Sequence, residues 1–209
     1  MCGIVGYKGE PIKVKKILDT LKLLEYRGYD SAGIAYIHQN GMLEVKKVEG
    51  KIDKLYDNLE DTSSELIIAH TRWATHGIPN QTNAHPHTSG SLAVVHNGII
   101  ENYKEIKEYL KDVEFKSETD SEVIVHLVNH FYKDNDLFGA VVKAVDMLRG
   151  AFAFVLIDSK TNSLVAVKME SPIVIGILDH GYIVSSDIPS IIKWTRKIVN
   201  LENGDVFYV

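Results

Sequence analysis

Apolar positions along the chain follow two rhythms, and each predicts a kind of element. Cys2–Tyr7 is a short apolar run that predicts a buried strand. Val14, Ile17, Leu18, Leu21 and Leu24 recur at helical spacing, and Pro11 ahead of them suits a first helical position, so a helix is predicted from Pro11. Gly33–Gln39 and Met42–Val48 flank Asn40-Gly41, the dipeptide of a type I′ turn, and predict a hairpin. Leu66–His70 predicts a short strand. Thr71–Gly90 predicts a long polar loop, of a length that is often functional. Leu92–His96 predicts a strand that ends at Asn97-Gly98.

Helical spacing returns over Glu101–Lys111, over Ser121–Tyr132 with Ile124, Leu127, Val128 and Phe131 on one face, and along Leu137, Ala140, Val141, Ala144, Val145 and Leu148. Gly150 is a stop signal for the last of these. Beyond it the pattern predicts short strands at 151–158, 163–168, 173–178, 182–185 and 205–209. Two successive helices between groups of strands predict α+β layers rather than strict βαβ alternation. Five scattered prolines, no repeat and no Pro/Gly-rich linker predict one domain over residues 1–209. The last residues, Asp205–Val209, read as a strand with no polar tail, which suggests a domain excised from a longer protein.

Composition narrows the function classes. With 45% hydrophobic and 24% charged residues, the chain is neither disordered nor fibrous. A net charge of −5 offers no basic excess to track a phosphate backbone, so no nucleic-acid partner is expected. The apolar runs stay far below the roughly 20 residues of a membrane helix, and no basic stretch precedes Cys2, so neither a membrane span nor a signal peptide is expected. A single cysteine excludes an internal disulfide and fits a reducing, cytoplasmic setting.

That cysteine is residue 2. Removal of Met1 would leave Cys2 with a free α-amine, a base of pKa about 7.7–8.0 beside the nucleophile's own thiol, which is the N-terminal-nucleophile arrangement. The plainer reading is a small buried hydrophobe. Asn97-Gly98 reads most simply as a turn; alternatively its side-chain amide and backbone N–H are two donors for an oxyanion. His70–Gly77 gathers Arg72, Trp73, Thr75 and His76 in a segment able to grip a carboxylate, or else to form an ordinary surface loop. Thr119 and Glu122 have capping-box spacing, which makes Asp120 a first-turn acid; the other reading is a carboxylate that binds an ammonium. His76, His85 and His87 share one loop, a weak zinc pattern. His126 and His130 have Leu127 where a metalloprotease needs Glu, so they read as ordinary helix residues and no metal is expected. Phosphate-binding Gly-rich loops are missing too, and no cofactor is expected.

Six ordered segments carry a resemblance: Cys2–Gly6, Leu24–Gly33, His70–Gly77, Asn83–His87, Val95–Asn102 and Ser117–Asp120. Through them the chain resembles the glutaminase domain of class II glutamine amidotransferases, more narrowly the branch found in glucosamine-6-phosphate synthases. The resemblance implies a four-layer αββα sandwich of the N-terminal-nucleophile hydrolase type. Cys2 would then be the nucleophile, and Asn97 and Gly98 the oxyanion donors. Arg72 would bind the α-carboxylate of L-glutamine and Asp120 its α-ammonium, while Trp73, Thr75 and His76 would line the site. The resemblance further implies a sugar-phosphate isomerase domain, absent from this chain, through which the whole enzyme forms a homo-oligomer.

Overall fold

The computed structural model describes residues 2–73 and 77–209. Two antiparallel sheets form its centre. The first joins seven strands: β1 (Gly3–Lys13), β2 (Ser31–Ile37), β3 (Leu43–Glu49), β4 (Ser63–Arg72), β9 (Val174–Leu178), β10 (Gly181–Ser185) and β11 (Ile198–Asn200). The second joins five: β5 (His87–Ser89), β6 (Leu92–Gly98), β7 (Phe152–Asp158), β8 (Ser163–Met169) and β12 (Val206–Tyr208). Their orders are β11-β9-β10-β1-β4-β2-β3 and β12-β8-β7-β6-β5.

Helices cover both outer faces. Against the seven-stranded sheet lie α1 (Val14–Lys22), α2 (Ile52–Asp57) and α6 (Ile188–Ile191). The stripe Val14, Ile17, Leu18 and Leu21 packs there on Val5, Tyr7, Ile67 and Ala69. Each such buried side chain contributes about 1.5–3 kcal/mol. Against the five-stranded sheet lie α3 (Tyr103–Tyr109), α4 (Glu122–Phe131) and α5 (Leu137–Met147). There Ile124, Leu127, Val128 and Val141 pack on Leu92, Val94, Phe154 and Val165. Between the sheets Ile4, Leu66 and Ile68 meet Ala93, Val95 and Val155. The result is the expected four-layer αββα sandwich. Among the described residues no helix is long and apolar enough to cross a membrane.

The structure redraws several local expectations. The first helix starts at Val14, not Pro11, because β1 resumes its pairing after a bulge and matches Ile12 and Lys13 to Ser64 and Ser63. The β2–β3 hairpin forms, but not on a type I′ turn. The Gly41 N–H bonds to the His38 carbonyl, the His38 N–H bonds to the Met42 carbonyl, and Gly41 at φ +83° takes the left-handed position of a three-residue loop. The Thr119–Glu122 capping box does not form. Glu122 turns back to accept the N–H groups of Lys116 and Ser117, and the Thr119 hydroxyl contacts Ser117 and His87 instead. Two parts of the expected Thr71–Gly90 loop are strand instead, since β4 runs on through Arg72 and β5 spans His87–Ser89.

Candidate active site

The strand period of two explains why the site lies where it does. On β4, Leu66 and Ile68 point between the sheets, whereas Ile67 and Ala69 point to the outer helices. Alternation puts His70, and beyond it Arg72, on the inter-sheet side. On β6, Ala93 and Val95 point between the sheets while Leu92 and Val94 face the helices of the other side, so Asn97 follows the inward set and His96 the outward one. Ile4 is opposite His70 in the β1–β4 register, which brings Cys2 to the same end of the layer. The apolar core therefore continues into a polar end made by the last turns of β4 and β6 and the start of β1.

Here a cavity of about 210 Å³ is lined by Cys2, Arg27, Trp73, Asn97, Gly98, Ile99, Ser171 and Pro172. The Trp73 N–H donates to Cys2 Sγ at 3.2 Å. The Cys2 carbonyl accepts from Arg27 Nε at 3.1 Å and from Asn97 Nδ2 at 2.9 Å. Arg27 is held in turn by Asp187 at 2.9 Å, and Asp187 also accepts the Tyr26 hydroxyl. Burial pushes the Cys2 thiol pKa up, against the lowering influence of the Trp73 N–H and of Arg72. At neutral pH the sulfur is thus a thiol that must lose a proton before it attacks.

Asn97-Gly98 is not a turn. Both residues belong to β6, opposite Ala153 and Phe152 of β7. The Ile99 N–H bonds to the Ala151 carbonyl, and hydrogen-bonded pairs alternate along an antiparallel ladder. Gly98 is thereby a non-hydrogen-bonded pair, with its N–H directed away from β7. On that other side β5 pairs with β6 only as far as Val94. Gly98 has φ +116°, and a Cβ there would stand 2.1 Å from the Ala151 oxygen, so glycine is required. One N–H of the Asn97 amide is engaged by the Cys2 carbonyl; an amide nitrogen carries two.

The remaining expected site residues divide. Arg72 and Asp120 are buried and not among the residues lining the cavity. Arg72 Nη2 donates to the Gly77 carbonyl at 3.4 Å, and Asp120 Oδ2 accepts the Ile100 N–H at 2.7 Å. Thr75 and His76 lie outside the described residues. Arg27, Ile99, Ser171 and Pro172 were not picked out from the sequence as site residues. Arg27 had a usable signal, since it sits inside the Leu24–Gly33 segment that carries the resemblance. Ser171 and Pro172 had none, as they reach the cavity only through the β8–β9 connection.

Next to Asn97 lies a group of four histidines, carried by β4, β5, β6 and the segment just ahead of β5. His70, His85, His87 and His96 are all buried, and burial drives every one of their pKa values down, to about 3 for His70 and about 4 for His96. The His85 ring centroid is 4.1 Å from that of His70 and 4.7 Å from that of His87. Lys47 on β3 fastens the loop carrying His85, donating to the Ala84 and Pro86 carbonyls at 2.6 and 3.3 Å. Among the described residues no group of three or more His, Cys, Asp or Glu is arranged to hold a metal ion.

Residues 70–193 match the family described as glutamine amidotransferase domain. Over 99% of its length the chain is 50% identical to the glutamine--fructose-6-phosphate aminotransferase [isomerizing] of Aquifex aeolicus, of which it covers 36%. It is 47% identical to the protein of the same name from Thermotoga maritima over 99% of the chain and 35% of that relative. The chain thus spans about a third of the length of these curated relatives. Among solved structures it is similar to the glutamine phosphoribosylpyrophosphate amidotransferase of B. subtilis, with a TM-score of 0.86 and 25% identity, over 100% of this chain and 47% of that one.

Proposed function

Since the chain belongs to the glutamine amidotransferase domain family, and its sandwich is of the N-terminal-nucleophile type, we propose that it hydrolyses the side-chain amide of L-glutamine. The observation that carries this reading is the meeting of Cys2 with Asn97 and Gly98 in one cavity. No local spacing brings these residues together.

In the proposed reaction Met1 has been removed and the α-amine of Cys2 is free. The amine takes the thiol proton as sulfur attacks the amide carbon of glutamine. The second Asn97 N–H and the Gly98 N–H stabilise the oxyanion of the tetrahedral intermediate, each such donor accounting for about 3 kcal/mol. The amine returns the proton to the departing nitrogen, the C–N bond breaks, and ammonia leaves a γ-glutamyl thioester on Cys2. Water then adds to the thioester, with the same amine as base, and releases glutamate and the thiol. Arg72 serves the α-carboxylate and Asp120 the α-ammonium of the substrate, while Trp73, Thr75 and His76 line the site. Residues 1–209 make up one glutaminase unit, which acts once Met1 has been removed. The names of the relatives support fructose 6-phosphate as the acceptor of the ammonia. The sugar-phosphate isomerase half that would bind it, and through which the enzyme would form a homo-oligomer, belongs to the length this chain does not span.

Intact-mass measurement before and after treatment with a glutamine-shaped diazoketone tests the reading. The expected result is a mass without Met1 that gains one adduct, with Cys2→Ala gaining none. A processed chain that takes no adduct, or a Cys2→Ala variant that still hydrolyses glutamine, overturns it.

A further inference from the structure

His70 has no part in the reaction as proposed, yet it touches the residue on which the oxyanion depends. Its Nε2 lies 3.0 Å from the His96 carbonyl oxygen and 3.1 Å from Asn97 Oδ1. A carbonyl oxygen can only accept, so Nε2 carries the proton and His70 is the Nε2–H tautomer. That proton is shared between the two oxygens, and Asn97 must therefore turn its oxygen, not its nitrogen, toward His70. With the oxygen fixed, the Asn97 NH₂ faces the Cys2 side, where it meets the Cys2 carbonyl at 2.9 Å. The opposite amide orientation would set Oδ1 against that carbonyl and Nδ2 against a protonated ring nitrogen, two repulsive contacts in a buried place. The register supports the same chain of contacts. His96 is paired with Phe154 in the alternate, non-hydrogen-bonded set of the β6–β7 ladder, so its carbonyl is turned away from β7 and free for His70.

We infer that His70 is a positioning residue: its Nε2–H, held by the His96 carbonyl, locks the Asn97 amide with its donors toward the reacting centre. This rests on the reading of Asn97 as an oxyanion donor. His70 is not among the residues that line the cavity and acts through its contact with Asn97. Its full burial keeps the ring neutral, so it needs no counter-charge and its tautomer is set by its two oxygen partners.

The test uses glutamine hydrolysis by the processed chain and two variants that split the imidazole. In His70→Gln the side-chain nitrogen falls where Nε2 was; in His70→Asn it falls where Nδ1 was. We expect His70→Asn to lower kcat at least 10-fold, approaching the roughly 100-fold or greater loss of Asn97→Ala, with KM for glutamine little changed. His70→Gln should recover most of that loss. Combining His70→Asn with Asn97→Ala should cost nothing beyond Asn97→Ala alone, since both act through one group. Equal losses in the Gln and Asn variants, or a double variant that loses activity multiplicatively, overturns the inference. Should neither variant fold, nitrogen-15 spectra of the histidine-labelled wild type decide: an Nδ1–H tautomer at His70 rules it out and an Nε2–H tautomer supports it. A processed wild type that leaves glutamine intact, or an active Asn97→Ala, would instead remove the underlying reading, and that outcome is distinct from a failure at His70.

Discussion

The space between the two sheets is one continuous layer with two kinds of content. In its middle, Ile4, Ile68, Val95 and Val155 interlock with no polar atom among their side chains. At its end the same strands, on the same face, supply His70, Asn97 and the approach to Cys2. The backbone rule is identical in both places, since residues two apart share a face. What differs is the side chain set at each step. An apolar step adds burial; a polar step must find a partner or bear a cost of about 1–3 kcal/mol. The middle is therefore built for stability, and the end gives some of it up for aimed donors and a nucleophile. Both ring nitrogens of His85 lack a hydrogen-bond partner among the described residues, which is where that cost is most visible.

The contrast can be broken from either side. At the polar end the largest effect falls on the nucleophile: Cys2→Ala should abolish glutamine turnover while leaving the unfolding temperature nearly unchanged, as measured by an ammonia-release assay beside thermal melting. Asn97→Ala should lower kcat about 100- to 1000-fold; an unaltered kcat would take it out of the oxyanion site. Arg72→Ala and Asp120→Ala should raise KM for glutamine by at least 10-fold, more than either lowers kcat. Loss of affinity would separate a glutamine site from one for an amide lacking the two charged ends.

In the middle of the layer, Ile68→Ala should destabilise the fold by about 2–5 kcal/mol, read from urea unfolding, without altering kcat of the protein that stays folded. A pH titration of stability probes the polar end by itself. The unfolded histidines titrate near pH 6.5, whereas His70 and His96 in the folded state are lowered to about 3 and 4, and His85 and His87 are lowered as well. Below pH 6.5 the unfolded chain takes up protons that the folded one cannot. Stability should thus be complete above pH 6.5 and fall as the pH drops toward 4, by on the order of a few kcal/mol at pH 5. The lowered carboxylates Glu44, Glu122 and Asp158 act in a lower window, near and below pH 4.5. A flat stability profile between pH 7 and 5 would show that the histidines are not held neutral. The smallest effect expected is His85→Leu, which should lessen the acid sensitivity while changing stability at pH 7.5 by under about 1 kcal/mol.

Much of the molecule was legible in residue order. Both long helical stripes and the hairpin at Asn40-Gly41 depend on contacts within a few residues, and they formed at or near their expected bounds, as did most of the strand run after Gly150, whose alternation is local even though its partners are not. Where bounds moved, a distant partner was responsible. Pro11–Lys13 joined a strand because Ser63 and Ser64 lie across from it, and Thr119 gave up its cap because His87 and Ser117 are within reach. Elements held by one short turn, such as α2 and α6, left no periodic signal long enough to read.

Periodicity, turn chemistry and motif spacing are local properties, so residue order sufficed for the longer elements, their apolar faces and the six segments that carry the family resemblance. It also singled out Cys2, Asn97, Gly98, Arg72 and Asp120 as chemistry-bearing residues. It took the closing of the sheets to place Asn97-Gly98 at the end of a strand rather than in a turn, to bring Cys2 to Asn97 across 95 residues, and to bury four histidines. The physical reason is that strand pairing spends its hydrogen bonds on partners far along the chain. The face a residue shows is written in its neighbours, but what it faces is settled only when the sheets close on each other.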